Sequence, residues 1–425
     1  MYIMEQKQNK LEETQIEEPK IEEPKIGEPK IEESQIEEPK IEEPKIEESQ
    51  EFLEEYNTAS VAEQQARIKL LMEDKSICFL KQPEETEDEE HQSKYKKKIQ
   101  LNTPLIDYEW EISQKIQEIP HTHLYFATIV EPPTTIEIGS ITEDNIEKCT
   151  QKLPKKTLEN TQKLVTTTYR NRKSILLIDY IFQQKTTNIE YTFMTIIETF
   201  QQLLYSIQKL QLQKNPIIIF DIQLETIFYD LLHNTPFFTD HRLAINSEDL
   251  KDKQNCKKLI PHYELPYPIS IEIWLLSNII ELDPQATFDK ELRDRWITEY
   301  SETIPIQSPR QQSFIEEYKT SIDAFQTWDT LLEELIKTSN TWDIYILAMN
   351  YYQLCSQLQL DHLRVKLDEN SHKYIFLETW YETLEDIILN LPNNRPTIDQ
   401  IIEKMKGIEI VDREDYASFL REISE

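Results

Sequence analysis

The stretch PIIIFDIQLETIFYDLLHNTPFFTDHRLAI, residues 216–245, decides how the rest of the chain is read. Pro216 opens the apolar run Ile217–Phe220, which is short and β-branched enough for a buried strand. Pro236, Phe237 and Phe238 read as another. Each run leads into an aspartate, Asp221 and Asp240, and the functional reading depends on whether the two carboxylates share a site. Upstream, residues 189–210 form the clearest helical pattern. Phe193, Ile196, Ile197, Phe200, Leu203, Leu204 and Ile207 recur there at steps of three and four. Downstream of Pro268 the pattern is almost wholly helical, with amphipathic runs at 270–282, 311–337, 342–358 and 373–390. A front half that mixes strand with helix and a back half of helices predict an α+β fold.

Composition narrows the function. The 425 residues include 3 glycines, where average usage of about 7% predicts roughly 30. Gly27, Gly139 and Gly407 stand too far apart to build a glycine-rich phosphate loop. The formal net charge of −33 repels phosphate backbones, so nucleic acid is not an expected partner. Cys78, Cys149, Cys256 and Cys355 are scattered without a CxxC pair, which predicts free thiols in a reducing compartment. No apolar run approaches the ~18–20 residues of a membrane span, and the start of the chain lacks the apolar stretch of a secretory signal. A soluble intracellular protein is expected.

Residues 16–50 are five-residue units of the IEEPK and IEESQ type. The recurring proline forbids a continuous helix, and one isoleucine per unit buries too little area to offset the ordering entropy. Residues 1–52 therefore read as an extended, acidic, disordered spacer, with a docking tail for a basic partner as the alternative. Glu51–Met72 has helical spacing, and an acidic stretch at 84–90 precedes the basic run Lys94, Lys96, Lys97 and Lys98.

The order of segments from Glu109 to Met405 resembles a protein kinase catalytic domain, and most closely the divergent kinase-like proteins of large DNA viruses. YEWEISQKI (108–116) resembles the small-lobe helix, with Glu109 at the glutamate that pairs the nucleotide-binding lysine. SILLIDYI (174–181) resembles the strand leading into the hinge, and IIIFDIQLETI (217–227) stands where the catalytic loop belongs. PFFTDHRLAI (236–245) stands at the metal-binding Asp-Phe-Gly segment. PYPISIEIWLL (266–276) places Glu272 at the end of the activation segment. NTWDIYILA (340–348) places Asp343 at a buried helix-start aspartate, and PNNRPTIDQII (392–402) supplies Arg395 as the partner of Glu272. The resemblance implies a two-lobed fold, with the small lobe and hinge at 56–188, a mainly helical lobe at 189–425 and an insertion at 283–340.

It also implies what the chemistry needs. Phosphoryl transfer is mainly positioning and electrostatics. The glycine cover over the phosphates is missing. Lys98, or Lys96 on the same strand face, is the candidate nucleotide-binding lysine opposite Glu109. Asp221 is the candidate catalytic residue, but Ile219 replaces the family's histidine, Gln223 its lysine and Thr226 its metal-binding asparagine. Asp240 is the candidate metal ligand. Arg242 replaces the glycine beside it, and its guanidinium is expected to pair with Asp240 or Asp221 in the metal's place. Glu272, Asp343 and Arg395 are expected as structural groups.

These departures predict a catalytically degenerate protein that binds other proteins, with no cofactor. The alternatives are a weakly active serine/threonine kinase using ATP and magnesium, and a tethering protein that acts through its tail. The resemblance places it in the cytoplasm of an infected host cell or in the virion. His121 and His123 lack a third ligand at metal-binding spacing and are not expected to hold an ion. The pairs Tyr351-Tyr352 and Trp380-Tyr381 read as core or interface aromatics rather than a base-stacking surface.

Overall fold

The computed structural model describes residues 78–79, 95–101, 104–136, 164–187, 189–252, 255–256, 259–260, 268–282, 286–306, 308–358, 360 and 372–409. The acidic repeats, the helical spacing at 51–72 and the acidic stretch at 84–90 lie outside the described residues.

The front of the chain builds a four-stranded antiparallel sheet from β1 (Cys78–Phe79), β2 (Tyr95–Leu101), β3 (Ile129–Ile136) and β4 (Leu164–Arg170), in the order β1-β2-β4-β3. Helix α1 (Pro104–Gln117) starts on a proline, whose missing N–H has no helical partner at that position anyway. Its Ile112 and Ile116, at helical spacing, are both fully buried.

Next come β5 (Ser174–Leu176), α2 (Leu177–Thr187) and α3 (Ile189–Gln211). The expected helix at 189–210 is present, and its apolar stripe from Ile196 to Ile207 lies in the core. The segment 174–181 differs from its reading as one strand, because Leu177 onward is helix. A continuous apolar run carries no period to separate a buried strand from a buried helix.

The deciding stretch folds as β6 (Ile217–Ile218), β7 (Ile227–Asp230), β8 (Thr235–Phe238) and β9 (Ile245–Asn246). β7 and β8 form a hairpin whose register pairs Ile227 with Phe238 and Asp230 with Thr235. β5 adds to this hairpin beside β7, while β6 pairs with β9. The hairpin turn is closed by Asn234, at φ 52, a residue type that tolerates the left-handed region.

The back of the chain is helical: α4 (Ile271–Glu281), α5 (Lys290–Ser301), α6 (Pro309–Ser321), α7 (Trp328–Lys337), α8 (Trp342–Gln357), α9 (His372–Ile388) and α10 (Ile398–Glu409). The run expected over 311–337 is two helices, not one. Thr327 caps α7 by accepting from Thr330 N, much as Ser308 caps α6. The span 283–340, expected as an insertion, carries α5, α6 and α7, which bury Ile297, Tyr300, Phe314, Tyr318 and Leu331 in the common core. Tyr351, Trp380 and Tyr381 are core aromatics as expected. Cys256 and Cys355 are buried thiols. The architecture is therefore mixed α+β, with small antiparallel sheets and a predominance of helix. Among the described residues, no helix is long and apolar enough to cross a membrane.

Candidate functional site

The β7–β8 hairpin brings the two aspartate-bearing loops to one end. Asp221 lies just before β7 and Asp240 just after β8, and Thr239 Oγ1 donates to Thr226 O at 2.5 Å across that open end. The carboxylates that carry the functional reading thus belong to adjoining loops.

The Asp221 loop is held in a tight, unusual shape. Asp221 N donates to Ile219 O at 2.8 Å, closing a three-residue turn centred on Phe220 at φ 69. A bulky residue in that region costs about 1–3 kcal/mol and persists only when its surroundings over-determine it. Asp343 at the start of α8 supplies that restraint, accepting from Ile219 N at 2.8 Å and from Phe220 N at 2.9 Å. The Phe220 ring meets Trp342 edge-on at a centroid distance of 6.0 Å. Asn350, seven residues after Asp343 and so on the same helix face, donates to Ile222 O at 2.8 Å. Burial pushes the Asp343 carboxyl up to about 6 against the two amide donors. Asp343, expected as a structural group, thus holds the Asp221 loop from the start of α8. Asn350 was not foreseen, although its seven-residue spacing from Asp343 was a usable signal.

Asp221 itself accepts from Gln223 Nε2 at 3.0 Å. Thr226 Oγ1 donates to Gln223 O at 2.9 Å, so its one hydroxyl proton is committed to the loop.

The second loop carries a clamp. Arg242 donates to Asp240 four times: Nε to Oδ1 at 2.9 Å and to Oδ2 at 3.1 Å, Nη2 to Oδ2 at 2.5 Å, and the backbone N to Oδ1 at 3.2 Å. Burial alone would raise the Asp240 carboxyl. The Arg242 guanidinium and the charge of Lys98 outweigh it and hold the group well below the usual carboxylate range. Of the two partners expected for Arg242, Asp240 is the one these contacts join. Between them, His241 is fully buried, edge-on to Phe126 at 5.9 Å, and burial lowers its imidazole to about 4.

Lys98 on β2 and Glu109 on α1 complete the cluster, both buried. Lys98 sits 6.0 Å from the centre of the Tyr169 ring, and Tyr169 Oη donates to Glu109 Oε1 at 3.2 Å. Glu109 Oε2 has no hydrogen-bond partner. Burial pushes the Glu109 carboxyl up to about 7; Lys98 and Arg242 pull it down, and Asp240 pushes it further up. Lys98, Glu109, Asp240 and Arg242, drawn from separate stretches of the sequence, therefore feel one another's charge. Tyr169 was missed, because nothing in its local sequence separates it from an ordinary strand tyrosine.

The remaining pair lies in the helical body. Arg395 Nη2 and Nη1 donate to Glu272 Oε1 and Oε2 at 2.8 and 3.1 Å, with both side chains 1% exposed. Nη1 also donates to Thr341 Oγ1 at 3.0 Å, one residue before α8 and two before Asp343. The ion pair and the loop-holding aspartate are thus anchored to the same helix start.

Both Asp240 oxygens accept from the Arg242 side chain, and Thr226 presents a single hydroxyl oxygen where the family has an amide carbonyl. Among the described residues, no group of three or more His, Cys, Asp or Glu side chains is placed to hold a metal ion. No protein-family model matches the chain, and no curated protein matches its sequence.

Proposed function

We propose that the chain is a two-lobed, protein kinase-like fold related to those of large DNA viruses, catalytically degenerate, that works by binding other proteins. The reading is supported by a small antiparallel sheet with a helix against it, bearing Lys98 and Glu109, followed by a helical body. It is supported further by Asp343 holding the Asp221 loop and by the Glu272–Arg395 pair. One observation carries the loss of catalysis: Arg242 occupies both oxygens of Asp240. A magnesium ion approaching Asp240 would meet a fixed positive charge, so the residues present do not fit the family's metal site. Gln223 brings no charge to a transferring phosphoryl group, and no glycine lets the backbone approach one. ATP and magnesium are accordingly not part of the function proposed.

A second reading, a weakly active serine/threonine kinase, is favoured by one specific feature. Lys98, Glu109 and Asp240 remain within each other's electrostatic reach. A third, tethering through the acidic repeats, rests on sequence alone. The proteins bound are expected inside the infected cell or the virion.

Incubation of the full chain with radiolabelled ATP, magnesium and protein acceptors tests the catalytic half of the proposal. No transfer above background is expected, and transfer that Asp221→Asn abolishes would replace the proposal with the kinase reading. Capture of partner proteins with and without residues 1–52 tests the binding half. Capture is expected to survive the deletion, and its complete loss would transfer the function to the tail.

A further inference from the structure

A cavity of about 360 Å³ opens beside the turn that follows α1; it shares Phe126 with the site above, while Lys98, Glu109, Asp221, Asp240 and Arg242 do not line it. Its volume falls within the ~300–1,000 Å³ usual for small-molecule sites. Four basic side chains converge on it. Arg170 ends β4, Arg172 follows two residues later, and His121 and His123 flank Thr122 in the turn. No aspartate or glutamate is among its lining residues. In a chain of net charge −33, such a concentration of positive potential is against the general trend.

Arg172 is already fixed in place. Its Nη2 donates to Phe126 O at 3.0 Å and to His123 O, and its guanidinium stacks on the Phe237 ring at 4.2 Å. Its Nη1 is buried and has no hydrogen-bond partner. The carboxylate felt by Arg172 is Asp230, and Asp230 is otherwise engaged. Asp230 accepts from Leu232 N at 2.8 Å, His233 N at 3.2 Å and His233 Nδ1 at 2.9 Å. His121 is held at φ 59, an uncommon backbone state for a residue with a Cβ, and its ring lies 6.5 Å from that of His123. Partial desolvation and then the charges of Arg170, Arg172 and His121 disfavour protonation of His123. A bound anion would remove that mutual repulsion.

We propose that this cavity binds a small phosphate-bearing anion, with Arg170 and Arg172 as the guanidinium donors and His121 and His123 as imidazole donors. Two planar forks and two imidazoles match the several equivalent oxygens of a phosphate or pyrophosphate group better than the two of a carboxylate. The site stands independently of the proposed function and needs no metal.

The test uses the full chain, titrated calorimetrically with inorganic pyrophosphate and separately with ADP, both without magnesium. Saturable binding is expected, weakened at least tenfold by Arg170→Glu and by His123→Gln, two changes at exposed positions. Lys214→Glu, the same charge change at an exposed site outside the cavity, is expected to alter affinity less than about twofold. Pyrophosphate binding equal to that of ADP points to an inorganic anion, and tighter ADP binding points to a nucleotide; both support the site. Absence of saturation up to about 10 mM overturns the proposal. So does binding unchanged in Arg170→Glu, or Arg170-dependent binding confined to RNA or heparin.

Discussion

Replacing Arg395 by methionine removes one side of the Glu272–Arg395 pair and strands a carboxylate that is 1% exposed. At 2.8 Å and an effective dielectric of 20, the gross attraction is roughly 6 kcal/mol. Desolvation of the two ions offsets most of that, so the net value of the pair is small while the cost of breaking it from one side is ~3–5 kcal/mol. The loss also takes the hydrogen bond to Thr341 and the stacking of the guanidinium on Tyr345 at 4.6 Å. Urea denaturation followed by tryptophan fluorescence should give a lower midpoint at unchanged slope for Arg395→Met, and similarly for Glu272→Leu. The double variant should cost much less than the sum of the two, because no charge is then stranded. Single losses below about 1 kcal/mol, the value of an exposed pair, or strict additivity would refute the reasoning.

Other expectations follow from the same geometry. Glu109 is pushed up to about 7 from an ordinary 4.5, so the folded protein keeps its proton through a range where the unfolded chain has lost it. Stability is full below the ordinary value, falls as pH rises toward about 7, and levels off above it. Glu109→Gln should flatten that fall and stabilise the protein at pH 8 by about 1–3 kcal/mol; an unchanged pH profile in urea denaturation would count against a buried protonated Glu109. Asp343→Ala removes the acceptor of Ile219 N and Phe220 N. It should cost about 2–4 kcal/mol and expose the amides of residues 219–221 to hydrogen exchange. Continued protection there would show that the loop holds its shape without Asp343.

Much of this was legible in the sequence where a regular period or a chemically distinctive residue stood at a fixed place. The stripe from Phe193 to Ile207 announced α3, and Asp343, Glu272, Arg395 and Arg242 each found a partner in the expected region. The reading failed where physics leaves no linear mark. SILLIDYI is apolar throughout and could not reveal that its helix starts at Leu177. The break between α6 and α7 was available in Thr327, a capping residue overlooked within a long amphipathic run. The cavity could not be read at all, since His121 in the turn after α1 and Arg170 at the end of β4 are brought to one cavity by the tertiary fold, and nothing local to either residue announces the other.

The most direct test of the central claim is thermal unfolding with millimolar ATP and magnesium, for the natural chain and for Arg242→Gly. If the guanidinium has displaced the cation, the natural chain should show no stabilisation by magnesium-ATP beyond that given by the nucleotide alone. Removing Arg242 should make magnesium binding at Asp240 detectable. Saturable, magnesium-dependent stabilisation of the natural chain would contradict the account.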